Sequence, residues 1–160
     1  MTKFLLAVHV IAAILAIGPV AVAASMFPPA ARQALATGPG TDALGTPRLL
    51  HRICRVYAVV GVVVPVFGFA TASEMGVLGS PWLIVSIALT ALAALVLAAV
   101  ILPAQTALLE GDGGDSGTEA DAGGARNPTA RLAMATGLFN LLWAAVTVLM
   151  IVRPGSTTGA

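Results

Sequence analysis

The sequence predicts an all-α fold, a polytopic membrane bundle of four helices that forms one transmembrane domain over residues 1–160. The composition is 58% hydrophobic and only 9% charged, whereas about 25% of the residues of a soluble domain are charged. The chain also contains four apolar stretches, each meeting the roughly 20 residues that a helix needs to cross a bilayer. These stretches cover residues 4–27, 50–72, 82–108 and 131–152.

The first apolar stretch has two interpretations. Lys3, the apolar run and the small residues Val22-Ala23-Ala24-Ser25 also fit a secretory signal with a cleavage site. The run is longer than the roughly 7–15 apolar residues of a signal core, and it contains His9 and Gly18-Pro19. We therefore expect this segment to be retained as the first membrane helix.

The three connections differ in length and composition. The first, residues 28–49, is rich in proline and glycine, which favours turns, and leaves room for a short interfacial helix over 30–35. The second, residues 73–81, is short, so the helices on either side should be antiparallel neighbours. The third, residues 110–128, combines glycine with acidic residues and has no large apolar residue. Such a segment cannot offset its ordering entropy, and we expect it to be mobile.

Basic residues are distributed unevenly between the two sides of the predicted bundle. Cytoplasmic flanks of membrane helices are enriched in Lys and Arg. The side with the first and third connections holds six of the eight basic residues, and the side with the termini holds Lys3 and Arg153. The sequence therefore predicts that both termini lie outside. The excess of Arg over Lys, with abundant Ala, Gly and Val, is typical of a GC-rich bacterial genome, so the expected location is a bacterial inner (plasma) membrane.

Several classes of function are excluded by residues that the chain lacks. A net charge of +1 argues against nucleic acid as a partner, since such binding needs a basic patch. The single cysteine, Cys54, excludes an intramolecular disulfide. No carboxylate lies inside an apolar stretch, so a proton-coupled exporter would lack its proton carrier.

These exclusions favour an integral membrane protein without enzymatic activity, either a packing partner or a small-solute permeability factor. No catalytic residue and no cofactor are predicted. The lipid bilayer is the expected surrounding, and the partner is either a second copy of the chain or another membrane protein.

His9 carries the alternative hypothesis. An ionisable residue within a membrane helix points by default to a function, although a neutral imidazole also serves as a hydrogen-bonding residue between helices. Imidazole and thioether ligands suit copper, which makes His9 and Met75 a candidate metal pair. His9 is also the candidate ligand of haem b. A single haem held by both His9 and His51 is excluded, because the two lie roughly 20 Å apart across a core of about 30 Å.

Two further groups of polar residues stand out. Arg48, Arg52 and Arg55 follow one another at helical spacing at the start of the second helix, where they are expected to contact lipid headgroups or another anion. In the last helix, Thr136, Asn140 and Thr147 share a face. We expect this second group to form polar contacts between helices.

The segments KFLLAVHVIAAILAIGP and LLHRICRVYAVVGVVVPVFGF resemble small four-helix bacterial proteins described only as predicted integral membrane proteins of unknown function. They are more distantly similar to the copper-resistance D superfamily, which includes the membrane protoporphyrinogen oxidase. That oxidase has a histidine early in its first helix, as His9 is here, so the resemblance implies haem at His9. The oxidase pattern also needs a lysine in a later helix, and Lys3 is the chain's one lysine.

Overall fold

The computed structural model describes residues 2–37, 43–111 and 128–155. Within these ranges the chain forms six α-helices and one π-helical segment, and it contains no strand. The connection expected to be mobile lies almost wholly outside the described residues. The elements are α1 (Thr2–Thr37), α2 (Gly45–Val60), α3 (Val63–Glu74), α4 (Pro81–Val96), the π segment (Leu97–Ile101), α5 (Leu102–Glu110) and α6 (Pro128–Val152).

Four helical spans are long and apolar enough to cross a membrane, which confirms the predicted all-α four-helix fold. Two of the spans are interrupted helices: α2 and α3 together form the second, and α4, the π segment and α5 form the third. The spans cover Thr2–Thr37, Gly45–Glu74, Pro81–Glu110 and Pro128–Val152.

The helix α1 lies between two neighbours and organises the bundle. It packs against α2 and α3 on one side and against α6 on the other. The third span packs on α6 through α4 and the π segment, and α5 returns to contact α2. At the opposite end, the guanidinium of Arg153 lies 5.8 Å from the centre of the Trp82 ring, which links the end of α6 to the start of α4.

The first helix is longer than the sequence predicts. It continues through Pro28 and Pro29 to Thr37, where a proline-rich connection with a separate short helix was expected. Each proline lacks an N–H and leaves a carbonyl of the preceding turn without its helical partner. The extension nevertheless buries Ala31 and Ala34, and its packing against the core offsets the missing hydrogen bonds.

Proline also marks the interruptions of the second and third spans. Pro65 cannot donate to the carbonyl of Gly61, and that oxygen instead accepts the N–H of Val64 at 3.1 Å. Pro103 similarly follows the π segment. The N–H of Leu102 donates a hydrogen bond to the carbonyl of Leu97, which gives the wider π-helical turn. A π segment inside an α-helix is uncommon and often accompanies a functional site.

The bundle interior is filled by large apolar side chains from all four spans. They form one continuous cluster that runs from the middle of α1 to the end where α2 begins and α5 ends. Its most deeply buried large members, each at most 2% exposed, are Val20, Phe27, Ile101, Leu132 and Phe139.

Candidate functional site

The imidazole of His9 lies between α1 and α3 and is only 8% exposed. Its Nδ1 is 3.0 Å from the carbonyl oxygen of Val64. Because a carbonyl can only accept, Nδ1 carries the hydrogen and donates it. In the neutral ring this leaves the lone pair on Nε2, so His9 holds a defined tautomer and joins the first two spans.

Gly68 provides the space for this ring. A Cβ placed on Gly68 would lie 2.9 Å from Cε1 of His9 and 3.3 Å from its Nδ1. Real Cβ atoms essentially never approach another atom as closely as 2.9 Å, so any larger residue at position 68 would displace the imidazole. The absence of a side chain at Gly68 therefore permits the close approach of α1 and α3 at the level of His9.

Met75, the proposed metal partner of His9, and His51, which was excluded as its partner, both lie at other levels of the bundle. Met75 caps α3, about 10 Å along the helix axis from the level of Gly68 at 1.5 Å per residue. By the same measure His51 lies about 25 Å from that level in the opposite direction. In the described ranges, no group of three or more His, Cys, Asp or Glu side chains could hold a metal ion. Metal or haem binding at His9 therefore stays a prediction.

A second polar cluster joins α2 to α5 and was not predicted. The Nδ1 of His51 donates to Oε1 of Gln105 at 3.0 Å. The amide nitrogen of Gln105 donates in turn to Sγ of Cys54 at 3.7 Å. Gln105 and Cys54 are both 0% exposed, so one fully buried amide connects two residues of the neighbouring helix.

The His51–Gln105–Cys54 cluster links the second span to the third and fixes the rotation of α2 about its own axis. Its side chains lie on the inner side of that helix, where Leu50 is also buried. A signal for the cluster exists in the sequence, because Gln105 is the one amide side chain in the apolar stretch 82–108. Its partner could not be identified without knowing that α5 returns to α2.

The three arginines of α2 lie on the other side of the helix. Arg48, Arg52 and Arg55 are all exposed, and their helical spacing places them along one face. Their predicted contact with a lipid headgroup or another anion remains a prediction, which we develop below.

The polar residues of α6 differ in their hydrogen-bond partners, since Asn140 bonds to another helix and Thr147 bonds within α6. The Nδ2 group of Asn140 donates to Oγ of Ser25 on α1 at 3.1 Å, and the Ser25 hydroxyl donates to the carbonyl of Ala21. Thr136 is 3% exposed. Thr147 is exposed and donates within α6 to the carbonyl of Trp143, so of the three only Asn140 has an interhelical hydrogen bond among the described residues.

Three polar atoms along the same side of α6 are buried without a partner among the described residues. They lie on successive turns of the helix, at Asn140, four residues before it and three residues after it. They are Oγ1 of Thr136, Oδ1 of Asn140 and Nε1 of Trp143. The Phe139 ring packs edge-on against Trp143 at 6.3 Å between centroids, which holds the indole in place.

Comparison with known proteins identifies the family. The family described as "Predicted integral membrane protein (DUF2269)" matches residues 3–154. The chain belongs to this family. No curated protein and no solved structure matches the chain. This DUF2269 protein is therefore an integral membrane protein, in agreement with its four spans.

Proposed function

We propose that this DUF2269 protein is a non-enzymatic component of the bilayer that works by packing against a transmembrane helix of another chain. The runner-up function, a small-solute permeability factor, needs a polar path through the bundle. What supports packing is the filling of the interior: Phe27, Ile101 and Phe139 are each at most 1% exposed. Apolar side chains occupy the region through which such a path would run.

The third span offers a face for such packing. The helix α4 packs chiefly on α6 and on its own continuation, which leaves its outer side uncovered by the residues that the structure describes. Small residues let helix backbones approach closely in membranes, where van der Waals contact drives association. Ala91 and Ala94 of α4 and Ala98 of the π segment follow one another at helical spacing and are exposed.

Site-specific photo-crosslinking in native membranes tests this proposal. A photoreactive side chain at Ala94 should give a discrete higher-mass product, and mass analysis then distinguishes a second copy from a different chain. Val66, which is 61% exposed on α3, is the matched control site. Equal or no crosslinking at the two positions would refute a specific face on α4.

A flux assay addresses the runner-up function. Reconstituted protein should leave the glycerol permeability of vesicles unchanged, because a continuous cluster of apolar side chains separates the buried polar groups. An acceleration by the protein that is lost in a denatured sample would favour the permeability factor over the packing partner.

The proposal includes an orientation in a bacterial inner membrane, with both termini outside. It rests on the excess of arginine at the end where α2 begins. In a Cys54→Ser background, a cysteine at Gly79 should react with an impermeant maleimide in intact cells. A cysteine at Ala36 should react only after the membrane is permeabilised, and the reverse pattern would invert the orientation.

Spectroscopy distinguishes the packing proposal from the alternative, a haem- or copper-handling redox protein centred on His9. This alternative starts from the expectation that the sequence raises for His9, whereas the hydrogen bond of His9 to the carbonyl of Val64 supports a structural role. A Soret band or stoichiometric copper in the purified protein, lost in His9→Ala, would replace the packing proposal with the redox one.

A further inference from the structure

The outer face of α2 combines a row of positive charges with an apolar depression. Arg48, Arg52 and Arg55 are exposed along this face. Directly beyond the last arginine, a shallow depression of about 320 Å³ is lined by Arg55, Val56, Val59 and Val60. We propose that this face is a binding site for one anionic phospholipid, with the phosphate on the arginines and an acyl chain in the valine depression.

The depression lies at the end of α2, beside the local interruption of the second span. The helix α2 ends at Val60, and the chain turns at Gly61 before α3 begins at Val63. Gly61 and Val62 keep right-handed helical dihedral angles, and the N–H of Gly61 donates to the carbonyl of Tyr57 at 2.8 Å, so the span is interrupted only locally. The valines of the last turn of α2 are exposed and line the depression together with Arg55.

The inner side of α2 fixes the direction in which this face points. His51 and Cys54 are joined to the buried Gln105 of α5, and Leu50 is buried in the core. Rotation of α2 would break these contacts. The arginines and valines are therefore held on the side that no other part of the described chain covers.

Charge and polarity select the occupant. A guanidinium binds phosphate with two parallel hydrogen bonds and tolerates an interfacial position. The arginines lie toward the end of α2 that is nearer the aqueous phase, and the exposed valines follow toward the bilayer centre, with Val59 72% exposed. This order of charge and apolar surface matches the order of headgroup and acyl chain in a phospholipid.

Other arginines at the same end provide a matched comparison. Arg32 of α1 and Arg131 of α6 are also exposed, but neither lines the depression. A general attraction of anionic lipids to basic residues would involve all of these side chains equally. A defined site would depend on Arg52 and Arg55 and on the valines.

Native mass spectrometry of the full chain tests the site. The purified protein is given phosphatidylglycerol or phosphatidylcholine with identical acyl chains, and the fraction that retains one lipid is measured. The wild-type protein should retain phosphatidylglycerol preferentially. Arg55→Gln should reduce this retention by about fivefold, the factor that one basic residue at a bilayer surface contributes, and Arg131→Gln should leave it unchanged.

A second arm tests the apolar part and the source of the phosphate. Val59→Asp should lower phosphatidylglycerol retention, while free glycerol phosphate at millimolar concentration should not displace the lipid. Equal losses in Arg55→Gln and Arg131→Gln, or displacement by glycerol phosphate alone, would overturn the proposal. Thermal unfolding of each variant verifies folding, and the site is independent of the packing proposed for α4.

Discussion

The contact between His9 and Gly68 shows how one small residue determines the place of a polar one. The imidazole donates to Val64 at 3.0 Å only because position 68 has no side chain. The histidine could be singled out from the sequence, since an ionisable residue in an apolar helix is costly. Its partner could not, because a backbone carbonyl leaves no trace in the sequence.

Gly68→Ala should destabilise the protein, although alanine is the better helix former by about 1 kcal/mol. The new methyl would lie 2.9 Å from Cε1 of His9 and would displace the ring from Val64. Gly137→Ala is the matched control, since nothing lies within 4 Å of its Cβ position, and it should raise the midpoint of thermal unfolding. The same Gly68→Ala change should become stabilising in a His9→Ala background, and a loss of stability there would contradict this account.

Gln105→Leu should lower the free energy of unfolding by about 1–2 kcal/mol. The change removes two interhelical hydrogen bonds, each worth about 0.6 kcal/mol on average in membranes, and leaves the Nδ1–H of His51 without its acceptor. Denaturant titration in mixed micelles measures the loss. Gln33→Leu, at an exposed position of α1, is the control and should have little effect.

Asn140 and Ser25 should respond unequally to truncation. Asn140→Leu removes one hydrogen bond but also the buried Oδ1, which has no partner among the described residues. An unpaired buried polar group costs about 1–3 kcal/mol, so this change should be close to neutral. Ser25→Ala leaves the whole amide unpaired and should be the more destabilising of the two in the same titration; the opposite order would refute this assignment.

At the scale of the elements, hydropathy predicts which segments are helices but not where packing extends or interrupts them. The four spans follow from runs of apolar residues whose backbone must be satisfied internally in lipid. The end of α1 does not follow, because Pro28 and Pro29 are local breakers that the core contacts of Phe27 and Ala31 override. Gln105 escaped prediction for a related reason, since its burial depends on the return of α5 to α2.

Pro29→Ala should stabilise the protein. Pro29 is exposed, and alanine would restore the N–H that the carbonyl of Ser25 lacks, relieving part of the roughly 3 kcal/mol cost of a proline inside a helix. Pro28 is buried, so Pro28→Ala should gain less, because it also loses core contacts. The midpoint of thermal unfolding should therefore be higher for Pro29→Ala than for Pro28→Ala. Equal midpoints would mean that the core contacts of Pro28 do not contribute to stability, and the reverse ranking would contradict this prediction.

At the scale of the whole molecule, the exposed apolar residues form a belt that lipid or another membrane helix must cover. Large apolar side chains are exposed on every span, including Ile14 at 67%, Val66 at 61% and Leu141 at 70%. A soluble protein rarely exposes such continuous apolar surface. All four spans also exceed the length that a hydrocarbon core of about 30 Å requires, so the helices must tilt or extend into the interface.

Spin labels report this belt directly. Labels at Ile14, Val66 and Leu141 in reconstituted vesicles should collide more with dissolved oxygen than with a water-soluble nickel complex, because oxygen concentrates in the hydrocarbon. A label at Gly111, which caps the end of α5 beyond the apolar residues, should show the opposite preference. If another chain covers α4, a label at Ala94 should be shielded from both reagents. If none does, its collision rates with oxygen and nickel should match those of the label at Leu141. Nickel accessibility at Ile14, Val66 or Leu141 would mean that this part of the surface faces water, which the apolar belt does not allow.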